Sequence, residues 1–258
     1  MLQKLVLAIG AASALSSAAF AAGEDPICAD RPGKATPTCT VPPGMIQVES
    51  GLADWSRDSS GGVRTDELDI GGTAVKFGFG DRLHLELDLP AYVDIRKGPA
   101  GLGDSALALK YRLTEASAPV QFAVRPFVKI PTAKHSLGNG KVEGGIALLA
   151  DSSFGKSSVG WDIAPEVDVA ADGDGSGYHV ATAAAASVGV PVSRRITVSG
   201  EVWGAWDFDP AGTVRQYSID GAAAYLISKD VQLDAGANFG LNRNTPDLEL
   251  YTGISFRF

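Results

Sequence analysis

Charged side chains occur at alternate positions inside several segments of the chain, where one face of a strand would present them together. The basic ones fall on two neighbouring segments and are Lys110, Arg112, Arg125 and Lys129. The acidic ones fall on later segments and include Asp162, Glu166, Asp168 and Glu201. Facing each other inside a closed sheet, such walls could orient a polar or aromatic-acid solute in a pore, with Arg112 and Arg125 at the constriction. They could equally pair with each other and close the interior, and the sequence leaves both interpretations open.

Catalysis by a nucleophile is the weaker interpretation of these residues. A nucleophile must be oriented by a base, and the histidines of the chain are His84, His135 and His179. His135 adjoins Ser136, but neighbours in an extended chain point apart, and the chain has no G-x-S-x-G segment. An outer-membrane hydrolase therefore remains an unfavoured alternative, and we predict that the protein is not an enzyme.

Metal ions, cofactors and nucleic acids are not predicted partners. Asp172 and Asp174 lie in a glycine-rich segment but lack the remaining spacing and the terminal Glu of a calcium-binding loop. A solvated acidic loop explains them better. The formal net charge of −8 argues against nucleic acid and against anionic lipid held by the overall field of the protein.

Residues 1–22 have the features of a signal peptide. Lys4 supplies the positive start, Leu5 to Ala14 the apolar middle, and Ala19-Phe20-Ala21 the small residues of a cleavage site. A short membrane anchor is disfavoured, because spanning a bilayer takes about 20 apolar residues. No later stretch is apolar for long enough to predict a transmembrane helix.

Residues 23–44 are rich in Pro, Thr, Asp and Gly without periodicity, which predicts an irregular N-terminal segment. Cys28 and Cys39 are the two cysteines of the chain and both lie in this segment. In an oxidising compartment they are expected to form a disulfide, with free thiols as the alternative. Chain-entropy arguments give such a link about 3 kcal/mol.

Residues 45–258 consist of alternating segments of about ten residues separated by turn residues, the pattern of an outer-membrane β-barrel. We count about twelve antiparallel strands. The alternation is clearest at residues 83–89, 106–113, 120–130, 159–169 and 231–239. Between Val63 and Phe79 the apolar residues change parity, and a bulge at Gly71-Gly72 could reset the facing. Short and longer connections alternate, and none of them is long enough to predict an internal plug.

The final segment, Leu248 to Phe258, alternates throughout. We predict that it pairs with the first strand near Ile46 to Leu52 and closes the barrel. Phe256 and Phe258 would then face lipid at the periplasmic end and act as a signal for the barrel-assembly machinery.

A soluble β-sandwich also alternates, so alternation alone does not decide the fold class. Three features favour the membrane: charges deep within the polar faces, bulky apolar faces with few interruptions, and aromatic residues near the strand ends. The aromatics predicted near the longer loops are Trp55, Tyr92, Tyr178, Trp206, Phe208 and Tyr217. Those predicted near the short turns are Phe77, Phe79, Tyr111, Tyr225, Phe256 and Phe258.

Short motifs along the chain resemble an outer-membrane transporter family of Gram-negative bacteria that is grouped with a phenol-degradation (MetA) pathway. The motifs are Asp30-Arg-Pro32, Cys39-Thr-Val-Pro42, Gly101-Leu-Gly-Asp104, Leu109-Lys-Tyr-Arg-Leu113, Val128-Lys-Ile-Pro-Thr132, Val231-Gln-Leu-Asp-Ala-Gly236 and the terminal Phe258. The resemblance covers nearly all of the mature chain and implies a small barrel with a transport role. It carries over no binding residues.

The sequence thus predicts a transport protein or narrow channel of the outer membrane for small solutes, aromatic or hydrophobic compounds among them. Its partners would be outer-membrane lipid, the assembly machinery and the solute. A structural barrel without an open pore is the alternative.

Overall fold

The computed structural model describes residues 25–60, 63–115, 117–134, 136–155 and 158–258. The predicted signal peptide and His135 lie outside these residues. The described residues form fifteen antiparallel strands: β1 (Ile46–Ser60), β2 (Val63–Ile70), β3 (Thr73–Gly78), β4 (Leu83–Leu89), β5 (Tyr92–Ile95), β6 (Ala100–Leu102), β7 (Ser105–Arg112), β8 (Val120–Ile130), β9 (Glu143–Ser153), β10 (Gly160–Ala171), β11 (Tyr178–Pro191), β12 (Ile196–Asp207), β13 (Val214–Ser228), β14 (Val231–Gly240) and β15 (Leu248–Arg257). None of the described residues belongs to a helix that is long and apolar enough to cross a membrane.

These strands make a closed barrel with twelve positions in its wall. Three positions are each filled by two short strands placed end to end, namely β2 with β3, β4 with β5, and β6 with β7. The wall closes where β1 pairs with β15. Ile46 and Phe258 exchange two backbone hydrogen bonds of 2.9 Å at this seam. The predicted strand number and the predicted pairing of the first and last strands are both confirmed.

The facing of the second wall position does reset at Gly71-Gly72. Asp69 and Lys76 have opposite parity, yet both side chains face the interior, where Lys76 is 1% exposed. Gly71 has a φ of +77°, a conformation that glycine adopts without steric cost. β1 keeps a single register with β2 and β3 across this point. At the same level β1 has an irregularity of its own, between Gly51 and Ala53, in its pairing with β15. Both strands therefore change facing at the same level.

The outer surface of the barrel is apolar. Large side chains that alternate along the strands are exposed there, among them Leu107, Leu148, Val167, Val202 and Ile219. Exposed aromatic residues lie near both ends of the barrel, with Tyr92, Tyr178 and Phe208 at one end and Phe79, Tyr111, Tyr225 and Phe258 at the other. An apolar band flanked by aromatic residues is the surface that a bilayer solvates.

The two ends of the barrel differ in the length of their connections. At one end the chain crosses between strands at residues 131–142, 172–177, 208–213 and 241–247. At the other end, which also holds both ends of the barrel sequence, the connections are residues 79–82, 113–119, 154–159, 192–195 and 229–230, which are shorter on average. Longer loops face the outside of the cell in barrels of this type, so the first end is extracellular and the second periplasmic.

Candidate functional site in the barrel lumen

Residues 25–44, which we call the plug, lie inside the barrel. The plug contains the Cys28–Cys39 disulfide, which confirms the predicted pairing. Wall residues from around the circumference contact it, namely Glu49, Lys76, His84, Lys110, Asp151, Glu201, Asp220 and Asp234. The loops between strands do not predict a plug, and this segment escapes that prediction because it precedes the first strand.

Asp30 of the plug is the centre of a buried charge cluster. Its carboxylate accepts hydrogen bonds from Lys110 Nζ at 2.6 Å and from Lys76 Nζ at 2.7 Å. The two lysines are 0% and 1% exposed, so these pairs are shielded from water. Glu49 also pairs with Lys76 and accepts the backbone N–H of Asp30 at 3.0 Å. Two cations and two carboxylates therefore compensate each other at the base of the plug.

The environment of Asp30 favours its charged form. Burial by itself raises the pKa of this carboxyl, but the ammonium groups of Lys110 and Lys76 outweigh it. The pKa of Asp30 falls from its ordinary 3.8 to about 2. Asp30 therefore carries its negative charge at neutral pH.

Arg31 anchors the plug to β14. Its Nη2 and Nε donate to the two carboxylate oxygens of Asp234 at 2.8 and 3.2 Å, which is a bidentate pair. The guanidinium also lies 5.9 Å from the centre of the Tyr251 ring. A Cβ at Gly253 would overlap this guanidinium, so glycine at this position of the last strand leaves room for it.

The middle of the plug is held mainly through its backbone. Glu201 accepts the N–H groups of Lys34 and Ala35 at 2.9 and 2.6 Å. Lys34 Nζ donates to Asp220 at 3.0 Å and lies 5.4 Å from the centre of the Trp203 ring. Further along, Asp151 accepts the N–H of Thr38 at 2.6 Å, and His84 Nδ1 accepts that of Val41 at 3.2 Å.

The structure brings some of the predicted pore residues to the plug and leaves others on the wall. Lys110 and Glu201 contact the plug directly, as described above. Arg125 donates to Glu86 at 2.7 Å and lies 3.4 Å from Asp88, both on nearby β4. Lys129 pairs with Asp104 at 2.9 Å and with Glu143 at 2.5 Å, towards the extracellular end. These cations are compensated by close neighbours.

The other predicted pore residues are Arg112, Asp162, Glu166 and Asp168, and each lies on the wall away from the ion pairs of the plug. Arg112 donates to the carbonyl of Asp81 at 2.8 Å in the periplasmic turn, so it lies at the end of the barrel. Asp162 accepts the hydroxyl of Ser187 from the next strand at 2.9 Å. Glu166 lines a small cavity next to the plug, and Asp168 lies two residues further along the same strand. Most of these contacts are to close neighbours along the wall, and the pore-lining role of the residues stays a prediction.

Two cavities lie on opposite sides of the plug, and residues 30–33 line both. One, of about 330 Å³, opens towards the extracellular half and is lined by Thr73, Asp88 and Leu89. The other, of about 250 Å³, lies towards the periplasmic turns and is lined by Gly189, Thr197 and Ser199. The plug is therefore the partition of the lumen.

The interior wall beside the plug is apolar on one side. Ala123, Ala147, Leu149 and Ala164 are buried together on β8, β9 and β10. Ala147, Leu149 and Ala164 border a cavity of about 90 Å³ that Lys34, Arg125, Glu166 and Trp203 also line. Small apolar residues and charged residues therefore share this part of the lumen.

The two histidines of the described residues, His84 and His179, contribute to structure. His84 binds the plug, and His179 joins Asp172 and Asp207 at the extracellular end, at 2.9 and 2.6 Å. Within the described part of the chain, no group of three or more His, Cys, Asp or Glu side chains is arranged to hold a metal ion.

A closed twelve-position barrel with an apolar outer band and a polar, plugged lumen defines a β-barrel protein of the Gram-negative outer membrane. The model of the family described as "Putative MetA-pathway of phenol degradation" matches residues 29–258, and the chain belongs to that family. A search among curated proteins finds no match to the sequence.

Solved structures with the same fold include outer-membrane channels. An outer-membrane channel from Pseudomonas putida F1 superposes with a TM-score of 0.69 at 16% identity, over 88% of this chain and 99% of the other. The NanC porin superposes with a TM-score of 0.54 at 9% identity, over 82% of this chain and 98% of the other. At these identities the likeness establishes the fold.

Proposed function

We propose that the protein is an outer-membrane channel for small solutes whose lumen is closed by its own N-terminal segment. The observation that carries the proposal is the pair of cavities separated by residues 30–33. A barrel that served only as a wall would have no need of a vestibule on each side of a discrete partition. The solved structures that share the fold support the proposal, because they include channels of the outer membrane.

The apolar side of the lumen indicates which solutes to test first. The small residues around Leu149 give apolar surface next to the plug, in a cavity that Arg125 and Glu166 also line, and the description of the family refers to phenol degradation. We therefore propose small aromatic or hydrophobic compounds as solutes. Lys34 and Trp203 lie at the same cavity and could contact the polar group and the ring of such a molecule.

The alternative, a structural barrel without an open pore, has one observation in its favour. Lys76 and Lys110 are buried with their countercharges, and breaking such pairs costs roughly 3–5 kcal/mol. A plug held this strongly opens rarely. Channel and structural barrel therefore differ in what happens when the plug is loosened.

The test is conductance in planar bilayers together with liposome swelling, for the full chain and for the Arg31→Ala/Lys34→Ala variant. The variant removes two anchors of the plug, to Asp234 and Asp220, and leaves the wall intact. We expect low conductance from the unchanged protein, a several-fold increase in the variant, and faster swelling with phenol-sized solutes than with disaccharides. A variant that keeps its heat-modifiable barrel but shows neither conductance nor swelling would identify a structural barrel.

A further inference from the structure

Three arginines form a cluster on the outer surface of the barrel. Arg57 and Asp66 are partners across β1 and β2, and the N–H of Arg96 donates to the carbonyl of Asp66 at 2.9 Å. Arg64 is two residues from Asp66 and shares its face. Ile70, four residues from Asp66 on the same strand, is an exposed apolar residue of the outer band. We call Arg57, Arg64 and Arg96 the basic patch.

The basic patch lies at the extracellular end of the barrel, one outward-facing row beyond the apolar residues of β1 and β2. Trp55 and Leu68 are partners in the row immediately below Arg57 and Asp66. With a rise of about 3.3 Å per residue and a strand tilt of about 40°, the two rows differ by about 5 Å along the membrane normal. The guanidinium of Arg57 packs over the side chain of the row below, since its Cζ lies 4.6 Å from the centre of the Trp55 ring. The patch is therefore at the level of lipid headgroups.

The arginines share one carboxylate. Asp66 lies 2.9 Å from Arg57 Nε, 3.3 Å from Arg64 Nε and 3.5 Å from Arg96 Nη1. Three guanidiniums offer fifteen N–H donors, far more than one carboxylate can accept. Their side chains are 33%, 53% and 70% exposed, so most donors point away from Asp66.

The local charge is positive on a protein whose formal net charge is −8. Asp94 is opposite Leu68 in the register of β2 and β5, and it is the second carboxylate on this outer face. Glu67 also borders the depression at the patch, but it alternates with Asp66 and Leu68, so its side chain falls on the inward face. Three cations against two anions leave an excess of one positive charge beside an apolar surface.

We propose that the basic patch binds the phosphate groups of a phosphorylated saccharolipid in the outer leaflet of the membrane. Arginine forks match phosphate oxygens in a bidentate geometry. The depression at the patch, about 320 Å³ and bordered by Trp55 and Leu68, has room for a sugar phosphate. The acyl chains of the same molecule would lie against the apolar rows below, beside Ile70 and Tyr92.

The experiment measures thermal unfolding of the purified full chain in a zwitterionic detergent, read from heat-modifiable gel migration, while lipid A carrying both phosphates is titrated. The apparent dissociation constant should rise about tenfold in Arg57→Gln/Arg64→Gln/Arg96→Gln, as expected for several exposed charge pairs. Arg64→Gln/Arg96→Gln is the second variant. It keeps the Arg57–Asp66 pair and should fold normally while losing part of the affinity.

Arg215→Gln is the matched control. Arg215 is also exposed, lies one row beyond Tyr217 on the outer face, and is paired with Trp206 across β12 and β13. It also lies at the extracellular end of its strand but stands outside the basic patch, so its replacement should leave lipid binding unchanged.

Three further titrations separate the sources of the effect. Dephosphorylated lipid A and phosphatidylglycerol should protect the unchanged protein less than bis-phosphorylated lipid A, and soluble pyrophosphate should protect it least. At 1 M salt the difference between the protein and its variants should shrink, because exposed pairs are screened. Equal protection of the protein and both patch variants by lipid A, or equal protection by pyrophosphate, would overturn the proposal. Neither result depends on whether the lumen conducts.

Discussion

Lys110 Nζ and Asp30 Oδ1 lie 2.6 Å apart, although 80 positions of sequence separate the two residues. Lys110 belongs to β7 in the wall, and Asp30 belongs to the plug. The lysine is 0% exposed, so the contact is a desolvated ion pair that fixes the plug to the barrel. A buried lysine is costly unless it is paired. Removal of the Asp30 carboxylate would leave Lys110 without this partner, and movement of the plug would let water reach the lysine.

Replacement of Asp30 by Asn should release the plug. The variant leaves Lys76 and Lys110 with less compensation, at a cost of roughly 3–5 kcal/mol, and water entering the lumen relieves that cost. We expect several-fold more frequent channel openings in planar bilayers and unchanged heat-modifiable migration. Asp25→Asn is the control, since its side chain is exposed in the same segment. Equal opening frequencies for the two variants would show that the ion pair does not hold the plug.

Acid should act through the same carboxyl. The pKa of Asp30 in the plugged state, about 2, is below its ordinary 3.8, so the released state binds the proton more readily. This contribution to plugging is complete above pH 3.8 and is lost as the pH falls through about 2. Channel openings at pH 7 and pH 5 should therefore be equally rare and increase below pH 3.8. In Asp30→Asn the increase should be smaller, and an identical acid response in both proteins would assign it to other carboxyls.

The disulfide should restrict how far the plug moves. Cys28 and Cys39 close a loop within the plug, worth about 3 kcal/mol by chain-entropy arguments. Cys28→Ser/Cys39→Ser should open more often than the unchanged protein, and a reductant should produce the same increase. The reductant should have no effect on the serine variant. A reductant effect of equal size on both proteins would indicate that it acts elsewhere.

Deletion of Phe258 should lower the yield of assembled barrel. The residue contributes two backbone hydrogen bonds to Ile46 at the seam and an exposed ring at the periplasmic end. Phe258→Ala retains the backbone bonds and removes the ring, so the two variants separate closure of the seam from an aromatic assembly signal. A yield of heat-modifiable protein that is reduced in both variants supports the signal. Normal yield in Phe258→Ala restricts the role to closure.

The wall of the barrel could be predicted because its information is local. Alternation along Leu83–Leu89 or Leu248–Arg257 requires only that successive side chains point to opposite faces. The change of parity near Gly71-Gly72 was visible in the same way. What the sequence did not reveal was that β1 changes facing at the same level, which keeps the two strands in register.

The charged residues were predicted to face the lumen, and their partners were not. Arg125 pairs with Glu86 two wall positions away, and Lys129 pairs with Asp104 and Glu143. Which oppositely charged groups meet depends on strand register and on side-chain reach. The charges counted along each strand of the sequence give neither the register nor the reach of the side chains.

The sequence alone determined a barrel of about twelve strands, its closure by the last strand and the disulfide of the N-terminal segment. Only the tertiary structure decided that this segment lies in the lumen. Arg31 and Asp234 are 203 positions apart, and Glu201 binds backbone N–H groups of Lys34 and Ala35 that every residue except proline possesses. Such contacts leave no periodic pattern in the chain, because they arise only once the wall has brought distant carboxylates to one interior.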